Sequence, residues 1–97
     1  MARKRITAVK LVAGAPTTGW QPADLARVTF LEDGGMFPAD HAVDRVVRAI
    51  NAGEAYYVRG ADGAETPVTT RLRHGKYTLE ARPDADAPDR LLALPTY

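Results

Sequence analysis

The sequence predicts a small α+β domain: a mostly antiparallel sheet of about four or five strands with one helix packed on it, in the order β-β-α-β-β-β, and a docked C-terminal tail. Three observations carry this expectation. Short runs rich in β-branched and aromatic residues recur between glycine- and proline-marked turns. One segment repeats its apolar residues at helical spacing, through Val43, Val46, Val47 and Ile50. A chain of 97 residues can bury one compact core and no more, so residues 1–97 are expected to form a single domain.

The elements follow in order. Residues 1–5 are basic and read as a solvated arm. Ile6 to Val12 is a strand signal, with Thr7, Val9 and Leu11 on one face and Ile6, Ala8 and Val12 on the other. Neither face is cleanly polar, which predicts an interior strand. Pro16, Gly19 and Pro22 make the next stretch a loop, and Trp20 within it is expected to fold back on the core because it has so much apolar area to bury. Ala26 to Leu31 is the second strand, and Asp33-Gly34-Gly35 turns the chain. Met36 and Phe37 then extend the pairing or pack beneath the next element.

That element is the helix, expected over Asp40 to Ala52, with Asp40 as N-cap and Gly53 closing it. Its three valines make it a poor helix alone, so packing must hold it. Ala55 to Arg59 is the third strand. Glu65 to Arg73 returns as the fourth after a glycine turn, with Val68, Thr70 and Leu72 inward and Thr69, Arg71 and Arg73 outward. Pro67 suits an edge or a strand start. His74-Gly75-Lys76 turns the chain into a last strand, Tyr77 to Ala81. Residues 83–90 are a polar loop, and the apolar run 91–97 is expected to dock. Read as extended, the tail places Leu92 and Leu94 on one buried side.

The composition excludes several function classes. A formal charge of +1 supplies no global field toward nucleic acid or acidic lipid, so electrostatic function must come from local clustering. The cations are mostly arginine beside abundant alanine, a composition typical of a GC-rich genome. Cysteine is absent, which removes disulfides, thiolate chemistry and cysteine-ligated zinc, and fits a reducing cytoplasmic setting. The basic start resembles the charged region of a signal peptide, but the apolar stretch after it is short and broken by Lys10. The expectation is a cytoplasmic protein that does not enter membranes.

Catalytic chemistry is poorly represented. Serine is absent, and Thr17, Thr18, Thr69 and Thr70 have no local base. His41 and Asp44, three apart beside Asp40, form the nearest thing to a metal motif, yet zinc requires three or four ligands. The glycines do not precede a helix with phosphate-loop spacing. No enzyme activity, cofactor or metal is therefore expected. The most suggestive group is basic: Arg71 and Arg73 leave one strand face, and Arg59, Lys76 and Arg82 can join them, with Tyr57 or Tyr77 as a stacking surface. Nearby Glu54, Glu65 and Glu80 can neutralise such a patch.

The two ends of the chain carry a resemblance. Arg5-Ile6-Thr7-Ala8-Val9-Lys10-Leu11-Val12 and Asp89-Arg90-Leu91-Leu92-Ala93-Leu94-Pro95-Thr96-Tyr97, with Ile50-Asn51-Ala52-Gly53, Ala55-Tyr56-Tyr57-Val58 and Gly75-Lys76-Tyr77 between them, resemble the small uncharacterised prokaryotic proteins grouped as domain of unknown function 3892. Arg90 stands where that family's pattern has asparagine, and Thr78-Leu79-Glu80 replaces its Leu-Arg-Thr. The resemblance implies a self-contained domain and brings no activity, cofactor or site residue. The functional expectation is a non-enzymatic binding or interaction module, associating with a protein partner or with itself. One alternative is a nucleic-acid binder using Arg59, Arg71, Arg73, Lys76 and Tyr57, and another is a metal-binding protein or enzyme whose named candidates are His41 and Asp44.

Overall fold

The computed structural model describes residues 3–16, 18–84 and 86–97. The outermost two residues of the expected arm, and Thr17, lie outside the described residues. Among the described residues are seven strands and one α-helix: β1 (Lys4–Leu11), β2 (Leu25–Glu32), β3 (Ala39–Ala42), α1 (Val43–Asn51), β4 (Tyr56–Arg59), β5 (Glu65–Pro67), β6 (Thr69–Arg73) and β7 (Lys76–Glu80). The first five strands build one sheet in the order β3-β2-β1-β4-β5, and β6 and β7 form a separate two-stranded ribbon. Among these strand pairs only β1–β4 is parallel, so the α+β architecture is mostly antiparallel as expected. Lys4 and Arg5 belong to β1 rather than to a free arm, because their backbone pairs with both β2 and β4.

The central strand departs from simple alternation. Ile6 pairs with Phe30 and Ala8 with Thr29, leaving Thr7 as an extra, bulged residue. A regular strand puts positions three apart on opposite faces, yet Ile6 and Val9 are both buried in the same core. The bulge resets the phase by one residue and turns both inward. Opposite them, Leu25, Val28 and Phe30 of β2 and Tyr56 and Val58 of β4 join the same core.

The helix begins later than its sequence signals indicate. Asp40, His41 and Ala42 pair with Thr29, Val28 and Arg27 as β3, and Ala42 takes the N-cap place with no side-chain cap. Asp40 is therefore not the cap; its carboxylate pairs with Arg27 across the ladder and accepts a hydrogen bond from the Tyr97 hydroxyl. Val43, Val46 and Val47 then seat the helix on the sheet, with Ile50 packed beside them. Gly53, at φ 103°, ends the helix in the left-handed region that favours glycine.

The single strand expected over Glu65 to Arg73 is divided. Its first part pairs with β4 as an edge strand, its second with β7, and buried Val68 marks the change, its N–H donating to the Tyr56 carbonyl at 2.9 Å. Leu72 lies past the core and is exposed, not inward, and Met36 and Phe37 stand exposed on the β2–β3 loop. Trp20 is folded into the core.

The tail docks, but with the opposite pattern from an extended chain. Arg90–Ala93 form a 3₁₀ turn, so residues three apart share a face. Leu91 is 0% exposed, Leu94 packs beside it, and Leu92 points outward at 38% exposure. Pro95 does not end the pairing: its carbonyl accepts from the Val9 N–H, and the Tyr97 N–H donates to the Val9 carbonyl. The tail thus bridges to β1 through Thr96 in parallel. Among the described residues, no helix is long and apolar enough to cross a membrane.

Candidate functional site

The β6–β7 ribbon positions the basic side chains. Its register sets Thr69 opposite Glu80, Arg71 opposite Thr78 and Arg73 opposite Lys76. Directly paired residues share a face, so these six lie together, and Thr70, Leu72, Tyr77 and Leu79 take the other. Leu79 anchors the root of the ribbon in the core, and the Thr70 hydroxyl bonds Asn51 at the end of α1. Every residue from Arg71 to Tyr77 is exposed. His74 and Gly75, at φ 50° and 76°, turn the ribbon in the left-handed conformations that a two-residue hairpin requires.

Beside the basic face lies a cleft of about 430 Å³. One wall carries Arg71, Arg73, His74, Lys76 and Arg82, and the other is Gln21, Pro22 and Ala23, a loop entering the 3₁₀ turn Pro22–Asp24. Thr78, Glu80 and buried Leu79 and Asp89 complete the lining. The charges are unevenly balanced. Glu80 Oε1 faces two guanidiniums, Arg71 Nη1 at 3.3 Å and Arg82 Nε at 2.8 Å. Arg73 and Lys76 have no ion-pair partner among the described residues. Cross-strand like charges destabilise a ribbon, so their placement opposite one another is costly in the free protein.

Asp89 is the site residue that sequence reasoning missed. Its Oδ1 accepts from the backbone N–H groups of Ala81 at 3.1 Å and Leu91 at 3.0 Å, capping the 3₁₀ turn and tying it to the end of β7. Its Oδ2 has no partner among the described residues, although the side chain is nearly shut from water. The signal for the cap was an aspartate two residues before an apolar pair, which is readable only once that pair is known to lie in a helical turn.

The structure does not bring all the expected residues together. Arg71, Arg73 and Lys76 share the ribbon, with Arg82 beside them. Arg59 and Tyr57 belong to β4 of the other sheet and join a self-neutralising group there. Glu65 bonds Arg3 at 2.7 Å and Arg59 at 2.9 Å, which holds its carboxyl below the usual range. The Tyr57 hydroxyl donates to Asp33 at 2.7 Å, which raises its pKa, and the Arg3 guanidinium covers the ring at 4.4 Å. At 6% exposure Tyr57 offers no stacking surface. The reason is the break at Val68: it carries β6 away from β4, so Arg59 and Arg71 do not lie on one sheet.

His41 and Asp44 also separate. His41 is in edge strand β3, its ring edge-on to Phe30 at 4.8 Å, while Asp44 is in the helix. Burial, then Arg45, Lys4 and Arg27, hold the imidazole pKa below its ordinary value. Among the described residues no three His, Asp or Glu side chains gather as metal ligands. No protein-family model, no curated protein and no solved structure matches this chain.

The arrangement is suited to holding anions. Arginine forks and a lysine point charge bind phosphate or carboxylate oxygens, and an exposed ribbon can follow an extended partner.

Proposed function

We propose that this chain is a non-enzymatic binding module that holds single-stranded nucleic acid along the β6–β7 ribbon. The observation that carries the reading is the unopposed pair Arg73 and Lys76 beside Arg71 and Arg82, which share one carboxylate. Phosphates laid along this face relieve the like-charge repulsion and release counterions. The absence of serine and cysteine from the sequence supports a binding role over nucleophilic catalysis, and the cysteine-free composition fits a cytoplasmic setting. The near-neutral total charge makes the binding local and moderate rather than a steering field over the whole molecule.

Polarisation of a labelled dT nonamer tests this. Three or four phosphate contacts predict that affinity falls about 20- to 50-fold between 50 and 200 mM salt. The double variant Arg71→Glu/Arg73→Glu should remove most of the binding. Equal binding by the variant and the parent refutes the reading.

A second reading rests on the ribbon's other face. Leu72 and Tyr77 are direct cross-strand partners, 57% and 45% exposed, and form a small apolar platform at the tip. That platform suits a protein partner or a second copy of the chain. Light scattering over a range of concentrations separates the two readings: growth in mass that Leu72→Lys abolishes supports association through this face, and a constant monomer removes the self-association form.

A further inference from the structure

Resting on the nucleic-acid reading, we infer that the cleft at the root of the ribbon takes one nucleobase out of the bound strand and that Asp89 selects for guanine. The cleft has the size of a small-ligand site, about 430 Å³, enough for a base with part of its sugar. Its walls divide by chemistry. Pro22 and Ala23 offer apolar surface to the face of a flat heterocycle, and Arg71, Arg73 and Lys76 stand where the flanking phosphates run.

The second observation is independent of the charge. Asp89 lines the same cleft, is 3% exposed, and has an oxygen with no partner. A buried carboxylate oxygen left unpaired is unfavourable in the free protein, and it is satisfied only by a donor. Oδ1 is already occupied by the Ala81 and Leu91 N–H groups, so the side chain cannot turn to hide Oδ2 without breaking the cap. A ligand that brings a hydrogen-bond donor to Oδ2 is therefore favoured.

The bases differ sharply in this respect. Guanine presents two adjacent donors, N1–H and the N2 amino group, on its pairing edge. Adenine and cytosine place a ring acceptor beside their amino group, and thymine flanks its single N–H with two carbonyls. Each of those acceptors repels a carboxylate. A well-placed polar contact to a base edge discriminates by about 1–3 kcal/mol, which corresponds to roughly 5- to 150-fold in affinity.

The test uses dT nonamers carrying one central dG, dA, dC or dT, titrated by polarisation with four proteins: the parent, Asp89→Asn, Ala23→Leu and Arg71→Glu/Arg73→Glu. Asparagine keeps an oxygen for the two backbone N–H groups and replaces the free acceptor with a donor. Leucine at exposed Ala23 fills the cleft from the opposite wall and leaves the cap untouched. The parent should bind the dG nonamer about 10-fold more tightly than the others. Asp89→Asn and Ala23→Leu should each bring the four nonamers within about 2-fold of one another while the salt dependence stays as in the parent. Circular dichroism establishes that each variant is folded, and Ala23→Leu decides the matter if Asp89→Asn is not. Binding without base preference, or a preference that survives in the folded variants, overturns the inference and leaves the ribbon reading standing. No binding of any nonamer by the parent overturns both.

Discussion

Substituting Leu91 and Leu92 separately distinguishes a 3₁₀ tail from an extended one. In the 3₁₀ turn Leu91 is fully enclosed among core residues, whereas Leu92 is more than a third exposed. Leu91→Ala removes the packed part of a buried leucine and leaves a cavity, a change that costs about 2–5 kcal/mol. With about 3 kcal/mol lost, and a shift of about 4–8 °C per kcal/mol in a domain of this size, the melting temperature should fall by about 12–24 °C. That is a large part of the roughly 5–10 kcal/mol of net stability available to such a domain. Leu92→Ala gives up only partial burial and should cost less than about 1 kcal/mol, or a few degrees. Thermal denaturation followed by circular dichroism, with urea titration as a second measure, provides the comparison. An extended tail reverses the order, with Leu92→Ala the more damaging. That reversal, or equal effects, would refute the assignment of Leu91 as the anchoring residue.

Three further outcomes follow from named contacts. Asp89→Ala strips the acceptor from two buried backbone N–H groups and should destabilise by about 2–4 kcal/mol in urea, with Asp89→Asn much closer to the parent. Deleting Thr7 removes the bulge and sends either Ile6 or Val9 to the wrong face of the sheet, so the shortened chain should fail to give a cooperative unfolding transition. His41 is held neutral in the folded protein, its pKa below 6.5, so the unfolded chain binds its proton first. Stability should therefore decline as the pH falls below about 6.5, and less steeply in His41→Gln. Asp40 and Glu65, whose folded pKa values are depressed by Tyr97 and Arg27 and by Arg3 and Arg59 respectively, lose their contributions at lower pH, below the ordinary carboxylate range. A stability that is flat from pH 7 to 5 would contradict the burial of His41.

The elements legible in the sequence are those whose patterns and partners agree. The Val43-Val46-Val47-Ile50 stripe and the glycine after the helix each mark a local preference that packing then uses. β3 was not legible because Ala-Asp-His-Ala has little strand propensity, and the Asp40 cap signal pointed to a helix. The ladder with β2 decides between them. The Thr7 bulge leaves no compositional mark, since one inserted residue changes phase without changing residue type. Within the site, Arg71 and Arg73 were readable from a period of two, and Lys76 from the turn that follows. Arg59 and Tyr57 were misassigned to that surface because nothing local shows that the strand breaks at Val68. Asp89 and the Gln21–Ala23 wall come from segments far apart in the chain, and only tertiary packing brings them to β7.

The ribbon account is tested most directly by mapping where a single strand touches the protein. In a nitrogen–proton correlation titration with a dT nonamer carrying a central dG, the backbone amides of Arg71 to Arg82, Gln21, Ala23 and Asp89 should shift in a dose-dependent manner. Those of Arg3, Tyr57, Arg59 and Glu65 on the other sheet should stay in place. Shifts centred on that second group, or no shifts at low salt, would contradict the assignment of the β6–β7 ribbon as the binding surface.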